Sequence, residues 1–350
     1  MSADARKLTI YLGERQRARG AFLADALVDV YARHELRTSL VLRGAEGFGA
    51  RHGYRTDRQL TLSEDLPLVA VAVDETPRVE AALADVRALA PRGLVTVERA
   101  RLATAPLALP PELDGQVKLT VYLGRRERAA GRPAFEAVVA VLRRHGVAGA
   151  TVLLGVDGTV RGTRERARFL ARNANVPLMV ISVGDGARIA AALAELDVLL
   201  AQPLATLERV RVCRRDGVRL ATPEHDPVEP IAGLDQRQKL TVYAGEQSRH
   251  AGEPLTPGLL RALRREGLAG ATVLHGVWGY HGDHAPHGDT LWQLRRRAPA
   301  MLVTVDRPER SRRAFELIDA WTAETGLVTS ETVHAADGTS GASSGRSSSA

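Results

Sequence analysis

With 350 residues, 45% of them hydrophobic, the chain can bury more than one core, which excludes a disordered or fibrous protein. No uninterrupted apolar run of about 18 residues offers a bilayer span, and no charged, apolar, small-residue leader opens the sequence, so a cytoplasmic protein is expected. The net charge of +7 is spread over 48 basic residues among 41 acidic ones, with only short clusters such as Arg295-Arg296-Arg297, and predicts a mixed, solvated surface rather than a nucleic-acid interface.

KLTIYL, from Lys7, alternates polar and apolar residues as a half-buried strand does. AFLADALVDVYARHEL then sets Phe22, Leu23, Ala26, Leu27, Val30 and Tyr31 on one helical stripe. SLVLR is a second strand, PLVAVAV a third, TPRVEAALADVRALA a second amphipathic helix before Gly93, and LVTVER a last strand. The order βαββαβ predicts the split βαβ arrangement of ferredoxin-like folds.

The same phrase is written three times. KLTIYLG begins at Lys7, KLTVYLG at Lys118 and KLTVYAG at Lys239; Gly44, Gly155 and Gly276 keep the same spacing, and Pro67, Pro177 and Pro299 fall within a residue of it. Three tandem ferredoxin-like units are expected, in segments 1–102, 117–212 and 238–334. Between them, 103–116 and 213–237 have the proline-spaced composition of linkers, and 335–350 is a Gly/Ser tail. The single cysteine, Cys213, excludes an internal disulfide and is expected to be a bystander thiol in the second linker.

Lys7, Lys118 and Lys239 are the only lysines among the 48 basic residues, and all occupy one repeat position. A position that takes lysine in an arginine-rich chain asks for a compact point charge, suited to a phosphate or carboxylate if it faces a cleft; otherwise its stem packs along the sheet rim. Between the second and third strands the chain spends more than 20 residues per repeat, beyond an ordinary hairpin, which suggests a ligand or partner. In repeat one this stretch reads GAEGFGARHGY. Gly44, Gly47 and Gly49, with Phe48 between them, allow a backbone anion nest or only a mobile hairpin tip, and the stretch lacks the lysine pattern of a P-loop.

Taken together, KLTIYLG, GAEGFGARHGY, LSEDLPLVAVAVD and GLVTVE resemble the family called Domain of Unknown Function 190, which is similar to PII signal-transduction proteins. The resemblance covers all three repeats. It implies ferredoxin-like units assembled in threes, here within one polypeptide as a monomeric pseudo-trimer, with a nucleotide or small effector bound in the clefts between units. It also implies extended T-loops, here 44–66, 155–176 and 276–298, that report occupancy to a protein target such as a membrane transporter or channel. An adenine nucleotide is one candidate for that effector. No other cofactor is expected.

The repeats depart from one another. Glycines Gly155 and Gly158 in repeat two, and Gly276 and Gly279 in repeat three, replace the fuller pattern of repeat one. Arg99 and Arg101, and Arg209 and Arg211, alternate onto one face of the last strand where they could meet phosphates, or only guard an exposed edge; repeat three has Thr332 and His334 instead, which puts a third site in doubt. His281, His284 and His287 stand three apart with Asp283 and Asp289 nearby, a donor set for a divalent metal or a pH-sensitive loop. All three tryptophans, Trp278, Trp292 and Trp321, lie in repeat three, to stack on a base or pack on a neighbouring repeat. No nucleophile-base constellation recurs, so no catalytic residue is assigned and no enzyme is expected. The favoured function is sensing of a nucleotide or small anionic effector. The alternatives are a ligand-free adaptor and a metal-binding protein.

Overall fold

The strand that opens each repeat is buried on both faces rather than one. Leu8 and Ile10 turn toward the helices of repeat one, while Lys7 and Thr9 turn toward the middle of the molecule and are buried as well. The polar alternation of KLTIYL therefore marks an interior face, not a solvated one.

A computed structural model describes residues 2–49, 53–56, 65–90, 93–166, 175–281, 287–288 and 298–337. Repeat one contains β1 (Ser2–Gly13), α1 (Leu23–Arg33), β2 (Thr38–Arg43), β3 (Glu46–Phe48), β4 (Pro67–Glu75), α2 (Thr76–Leu89) and β5 (Leu94–Thr104). Repeat two contains β6 (Gln116–Gly124), α3 (Ala134–Arg144), β7 (Gly149–Val160), β8 (Pro177–Asp185), α4 (Gly186–Leu199) and β9 (Leu204–Arg209). After β10 (Arg211–Arg215), repeat three supplies β11 (Asp235–Gly245), α5 (Leu255–Arg265), β12 (Ala271–His275), β13 (Trp278–His281), β14 (Pro299–Asp306), α6 (Pro308–Trp321) and β15 (Leu327–Asp337). Prolines at the first turns of α2 and α6 start those helices where a backbone N–H would lack a partner.

Within repeat one the antiparallel order is β2-β4-β1-β5, and the other repeats follow the same order. The edges do not stop there. Strands β2 and β5 of repeat one pair with β7 and β9 of repeat two; β7 and β10 pair with β13 and β15 of repeat three; and β12 and β15 pair with β3 and β5 of repeat one. Following the pairs from β1 through β4, β2, β7, β8, β6, β9 and β5 returns to β1, an eight-stranded closed antiparallel barrel within one 19-stranded sheet.

This corrects the expected fold class. The chain is not three tandem ferredoxin-like α+β domains set side by side as a pseudo-trimer, because its repeats share one continuous sheet and a closed barrel. The physical reason is that an isolated four-stranded unit leaves two edges of unpaired N–H and C=O groups, and here each edge finds its partner in another repeat.

Cores lie on both faces of that sheet. Helices cover the outer face of each repeat, burying Leu27, Tyr31 and Val86 in the first, Val138, Leu142 and Leu193 in the second, and Leu259, Leu263 and Phe315 in the third. The inner faces meet in a shared core that includes Leu40, Val71, Tyr122, Ile181, Met301 and Val303. The connectors take part: Leu107 and Leu113 join the core of repeat two, and Ile231 and Leu234 pack against that of repeat one. Cys213 is not in a loose linker either. It lies in β10, buried in the core of repeat three, and burial pushes its thiol up to about 12, which leaves it unreactive.

Candidate functional site

The three lysines converge. Lys7, Lys118 and Lys239 sit on β1, β6 and β11, and in each strand pair the residue opposite is a glutamate of the same repeat: Glu98, Glu208 and Glu331. The six side chains close into a buried ring. Lys7 lies 2.7 Å from Glu98 and 2.6 Å from Glu208; Lys118 lies 3.0 Å from Glu208 and bonds Glu331; Lys239 lies 3.4 Å from Glu331 and 2.7 Å from Glu98. Each ammonium thus touches its own repeat's carboxylate and at least one from another repeat, Lys118 also lying 3.8 Å from Glu98.

The ring is electrically self-contained. Burial alone would discharge Lys7, but Glu208 and Glu98 outweigh it and hold the ammonium above its ordinary value, and Lys118 and Lys239 are held up in the same way. Burial likewise favours the protonated form of Glu98, yet Lys239, Lys7 and Lys118 pull the carboxyl well below its ordinary range. Glu98, Glu208 and Glu331 are the one group of described residues able to cluster three metal-ligating atoms, and ammonium groups already sit between them. Sequence reasoning found the lysines and missed the glutamates. The available signal was a glutamate at the same place in LVTVER, LATLER and LVTSET.

Above the ring the same strands stack two further layers. Thr9, Thr120 and Thr241, then Tyr11, Tyr122 and Tyr243, line a cavity of about 50 Å³ whose walls are completed by apolar residues such as Leu42, Val71, Ile181 and Met301. Lys7, Lys118 and Lys239 close one end of it, and no glutamate or aspartate among the described residues lines it. Burial pushes the Tyr11 and Tyr122 hydroxyls up to about 12, so they remain protonated donors.

The glycines have a steric role where the sequence suggested an anion nest. A Cβ on Gly44 would meet Pro67 and the Val273 carbonyl, and one on Gly276 would meet Pro299 and the Val152 carbonyl. Gly47 and Gly155 are similarly crowded, by the Ala271 and Pro177 carbonyls. Gly158 and Gly279, at φ +148° and +150°, pass directly against the Ser39 and Ala150 carbonyls of a neighbouring repeat. Gly44, Gly47, Gly158, Gly276 and Gly279 each sit at a close strand crossing between repeats, whereas Gly155 is crowded within its own. Gly49 has open space around it, and Phe48 is buried in the core of repeat three.

The long loops therefore begin clamped to a neighbour. Phe48 and Tyr54 pack on repeat three, with Arg264 over the Tyr54 ring; Trp278 meets Phe135 of repeat two edge-on at 6.5 Å, and Tyr280 donates to the Val147 carbonyl at 2.7 Å. Repeat two docks on repeat one by packing Val156 on its core and by charge, Arg164 reaching Asp29 at 2.5 Å and its own Asp157 at 2.7 Å. Trp321 stacks on His250 at 4.8 Å.

The strand arginines face the connectors. Arg99 pairs with Glu229 at 3.3 Å, Arg101 with Asp4 at 2.8 Å and with Glu112, Arg209 lies 3.7 Å from Asp114, and Arg211 pairs with Glu224 at 2.8 Å. In this arrangement they strap linkers to the sheet rather than converge on a shared pocket. Of the histidine loop, His281 ends β13; His284, the His287 side chain and Trp292 lie outside the described residues.

A second cavity, of about 210 Å³, opens between repeats three and one, lined by Leu94, Arg237, Ala269, Val305, Asp306, Arg307 and Arg310. Asp306, the carboxylate among its described lining residues, already accepts from the Ala269 and Arg307 backbone N–H groups at 2.9 and 2.8 Å. The charge is particular to repeat three. Arg307 caps α6 where Glu75 caps α2 and Asp185 caps α4, and Arg237 stands two residues before its lysine where the other repeats have Ala5 and Gln116.

A family model described as DUF190, an uncharacterized ACR, matches residues 5–102, 116–212 and 237–335. A UPF0166 protein of Aquifex aeolicus (strain VF5) is 30% identical over 98 residues, 28% of this chain and 91% of that protein. Another, from Methanocaldococcus jannaschii, is 28% identical over 89 residues, 25% of this chain and 82% of its own length. Among solved structures, an aspartate kinase from Synechocystis aligns with a TM-score of 0.24 and 12% identity over 94% of this chain; the chain spans 44% of that kinase's length, and so low a score carries no weight for fold or function. No helix among the described residues is long and apolar enough to cross a membrane. The threefold match across the strands that build the ring and the barrel shows that the chain belongs to the DUF190 family, in three tandem copies.

Proposed function

We propose that this chain is a regulatory protein of the PII-like signalling type, not an enzyme, that senses a small anionic effector in a cleft between repeats and passes the signal to a protein target through its long loops. The observation that carries this reading is the cavity between repeats three and one, where Arg307 and Arg310 stand beside Arg237, itself paired with Asp235 at 3.5 Å, and where the lining carboxylate among the described residues, Asp306, is already engaged. Guanidinium groups grouped around a recess of about 210 Å³ suit a phosphate or carboxylate group. The recess is smaller than the several hundred Å³ usual for a wholly enclosed organic ligand, so a nucleotide would seat only its anionic end there.

A ligand-free adaptor is the second reading, supported by the engagement of Arg99, Arg101, Arg209 and Arg211 with connector carboxylates and carbonyls. The test is titration of the intact chain with inorganic phosphate, adenosine monophosphate and adenosine triphosphate, in wild type and in Arg307→Glu/Arg310→Glu. The sensor reading expects saturable binding that falls at least tenfold in the variant. Absence of saturable binding of all three would favour the adaptor, and binding unchanged by the variant would move the site elsewhere.

A further inference from the structure

The three junctions between repeats carry different residues at one equivalent place. Where repeat one meets repeat two, Arg101 lies opposite Leu207 and pairs with Asp4 and Glu112; where repeat two meets repeat three, Arg211 lies opposite Ser330 and pairs with Glu224 and Asp226. Where repeat three meets repeat one, the place belongs to His334, opposite Val97. Two junctions thus hold a connector through a side chain of constant charge, and the third has one whose charge changes near neutral pH.

The surroundings of His334 favour the neutral ring. It lies on β15 between β11 and β5 and is 2% exposed. On the same sheet face stand Gln236 of β11 opposite it, Arg99 two residues beyond Val97 on β5, and Arg6 of β1 opposite Arg99. The connector covers this face. The Asp226 N–H donates to the Thr332 hydroxyl at 3.1 Å, Gln236 donates to the Val228 carbonyl at 2.7 Å, the Glu229 backbone bonds the imidazole, and the Glu229 carboxylate, 83% exposed, reaches Arg99 at 3.3 Å. His225 of the connector bonds Gln236 at 2.6 Å, and the Asp226 carboxylate is engaged by Arg211. His334 Nε2 is shielded from solvent and has no hydrogen-bond partner among the described residues. Burial, then the Arg99 and Arg6 guanidinium groups, hold the imidazole below its ordinary 6.5.

We propose that residues 224–230 form a proton-operated latch over the junction of repeats three and one, closed while His334 is neutral and released when it is protonated. An imidazolium here would be a buried cation beside Arg99 and Arg6, offset only by an exposed carboxylate that already serves Arg99. The connector is the part that yields, because polar contacts rather than a packed core hold 224–230 to the face. The ring protonates less readily in the closed state than when released to water, so the latch is fully held above about pH 6.5. Below that it weakens by up to about tenfold per pH unit until the closed-state value is passed.

Nuclear magnetic resonance of the full chain tests this. The His334 ring should titrate with a midpoint below 6.5. In the same sample, protection of the Asp226 amide, corrected for its intrinsic exchange rate, should fall several-fold, up to about tenfold, between pH 7.5 and pH 5.5. His334→Leu, which cannot take up a proton, should keep that protection constant. A wild-type midpoint at or above 6.5, protection that does not change with pH, or a fall retained in full by His334→Leu would overturn the latch. Both wild-type measurements stand even if the variant folds poorly.

Discussion

Lys7 faces Glu98 across β1 and β5 of its own repeat, yet it lies as close to Glu208 of repeat two, 2.6 Å against 2.7 Å. That relationship, made three times over, means that no repeat satisfies its own buried charge alone. Taking six charges out of water is expensive, and their mutual attraction recovers the cost only when the ring is complete. The ring is therefore better understood as a register device than as a source of net stability: a one-residue slip of β1, β6 or β11 would turn a lysine to the opposite face of the sheet.

Breaking and replacing the ring should then have different effects. Lys118→Met removes the ammonium that touches Glu208 and Glu331 and leaves their charge uncompensated, so a loss of about 3–5 kcal/mol is expected in urea unfolding. Replacing all three lysines by methionine together with all three glutamates by leucine should cost far less per site. A sextuple variant as unstable as the single one would show that the ring contributes strongly favourable energy of its own.

The pH dependence has a definite sign. Glu98 and Glu331 are held below the ordinary 4.5, so their contribution is complete above that value and lost as pH falls through their depressed folded pKa values. The lysines are held above the ordinary 10.5, so theirs is complete below that value and lost only as pH rises beyond it. Stability governed by the ring should form a plateau between about pH 5 and pH 10, with loss only outside it. A midpoint that changes steeply between pH 6 and 8 by an amount that Lys118→Met abolishes would contradict this assignment.

Much of the fold was legible because local patterns dictate it. The six helices and the main strands follow apolar periodicity, and the lysine coincidence was visible because an arginine-rich chain made it conspicuous. The partners were not legible. Glutamate is common here, and only the antiparallel register of β1 with β5 brings Glu98 opposite Lys7. The fold class was misjudged for a related reason: each unit's own strand order is local, whereas the pairing of β2 with β7 joins residues more than a hundred positions apart. The arginines of the last strands looked available for phosphate because Glu112, Glu224 and Glu229 lie in connectors whose path no periodicity reveals.

The crossing glycines yield the sharpest steric expectation. Gly158→Ala would place a methyl group against the Ser39 carbonyl at a backbone angle that L-residues rarely adopt, and Gly279→Ala would repeat this at Ala150. A loss of about 3 kcal/mol or more is expected for each, since backbone rather than a flexible side chain must yield. Gly49→Ala, with open space around it, should change stability by less than about 0.5 kcal/mol. If Gly158→Ala proved as harmless as Gly49→Ala, the close crossing of β2 and β7 would be wrong.

The three loop clamps should respond differently to salt. Phe48 with Tyr54, and Trp278 with Tyr280, hold their neighbours mainly by apolar contact, which salt does not screen. The clamp of repeat two on repeat one adds ion pairs to the packing of Val156: Arg164 bridges Asp157 of β7 to Asp25 and Asp29 of α1, and Arg166 adds contacts to Asp157 and Asp25 at 3.6 and 3.1 Å. Most of these groups are partly exposed, so raising the ionic strength toward 1 M, where the screening length falls to about 3 Å, should weaken this clamp selectively. Amide exchange in residues 156–160, where β7 leaves its own repeat to pair with β2, should accelerate with salt while exchange at β13 stays constant. Arg164→Ala should produce the same local acceleration at low salt, with a stability loss of about 1–3 kcal/mol because buried Asp157 loses its bidentate partner. Uniform acceleration across β7 and β13 would instead mean that the repeats open together, and that the ionic clamp has no separate role.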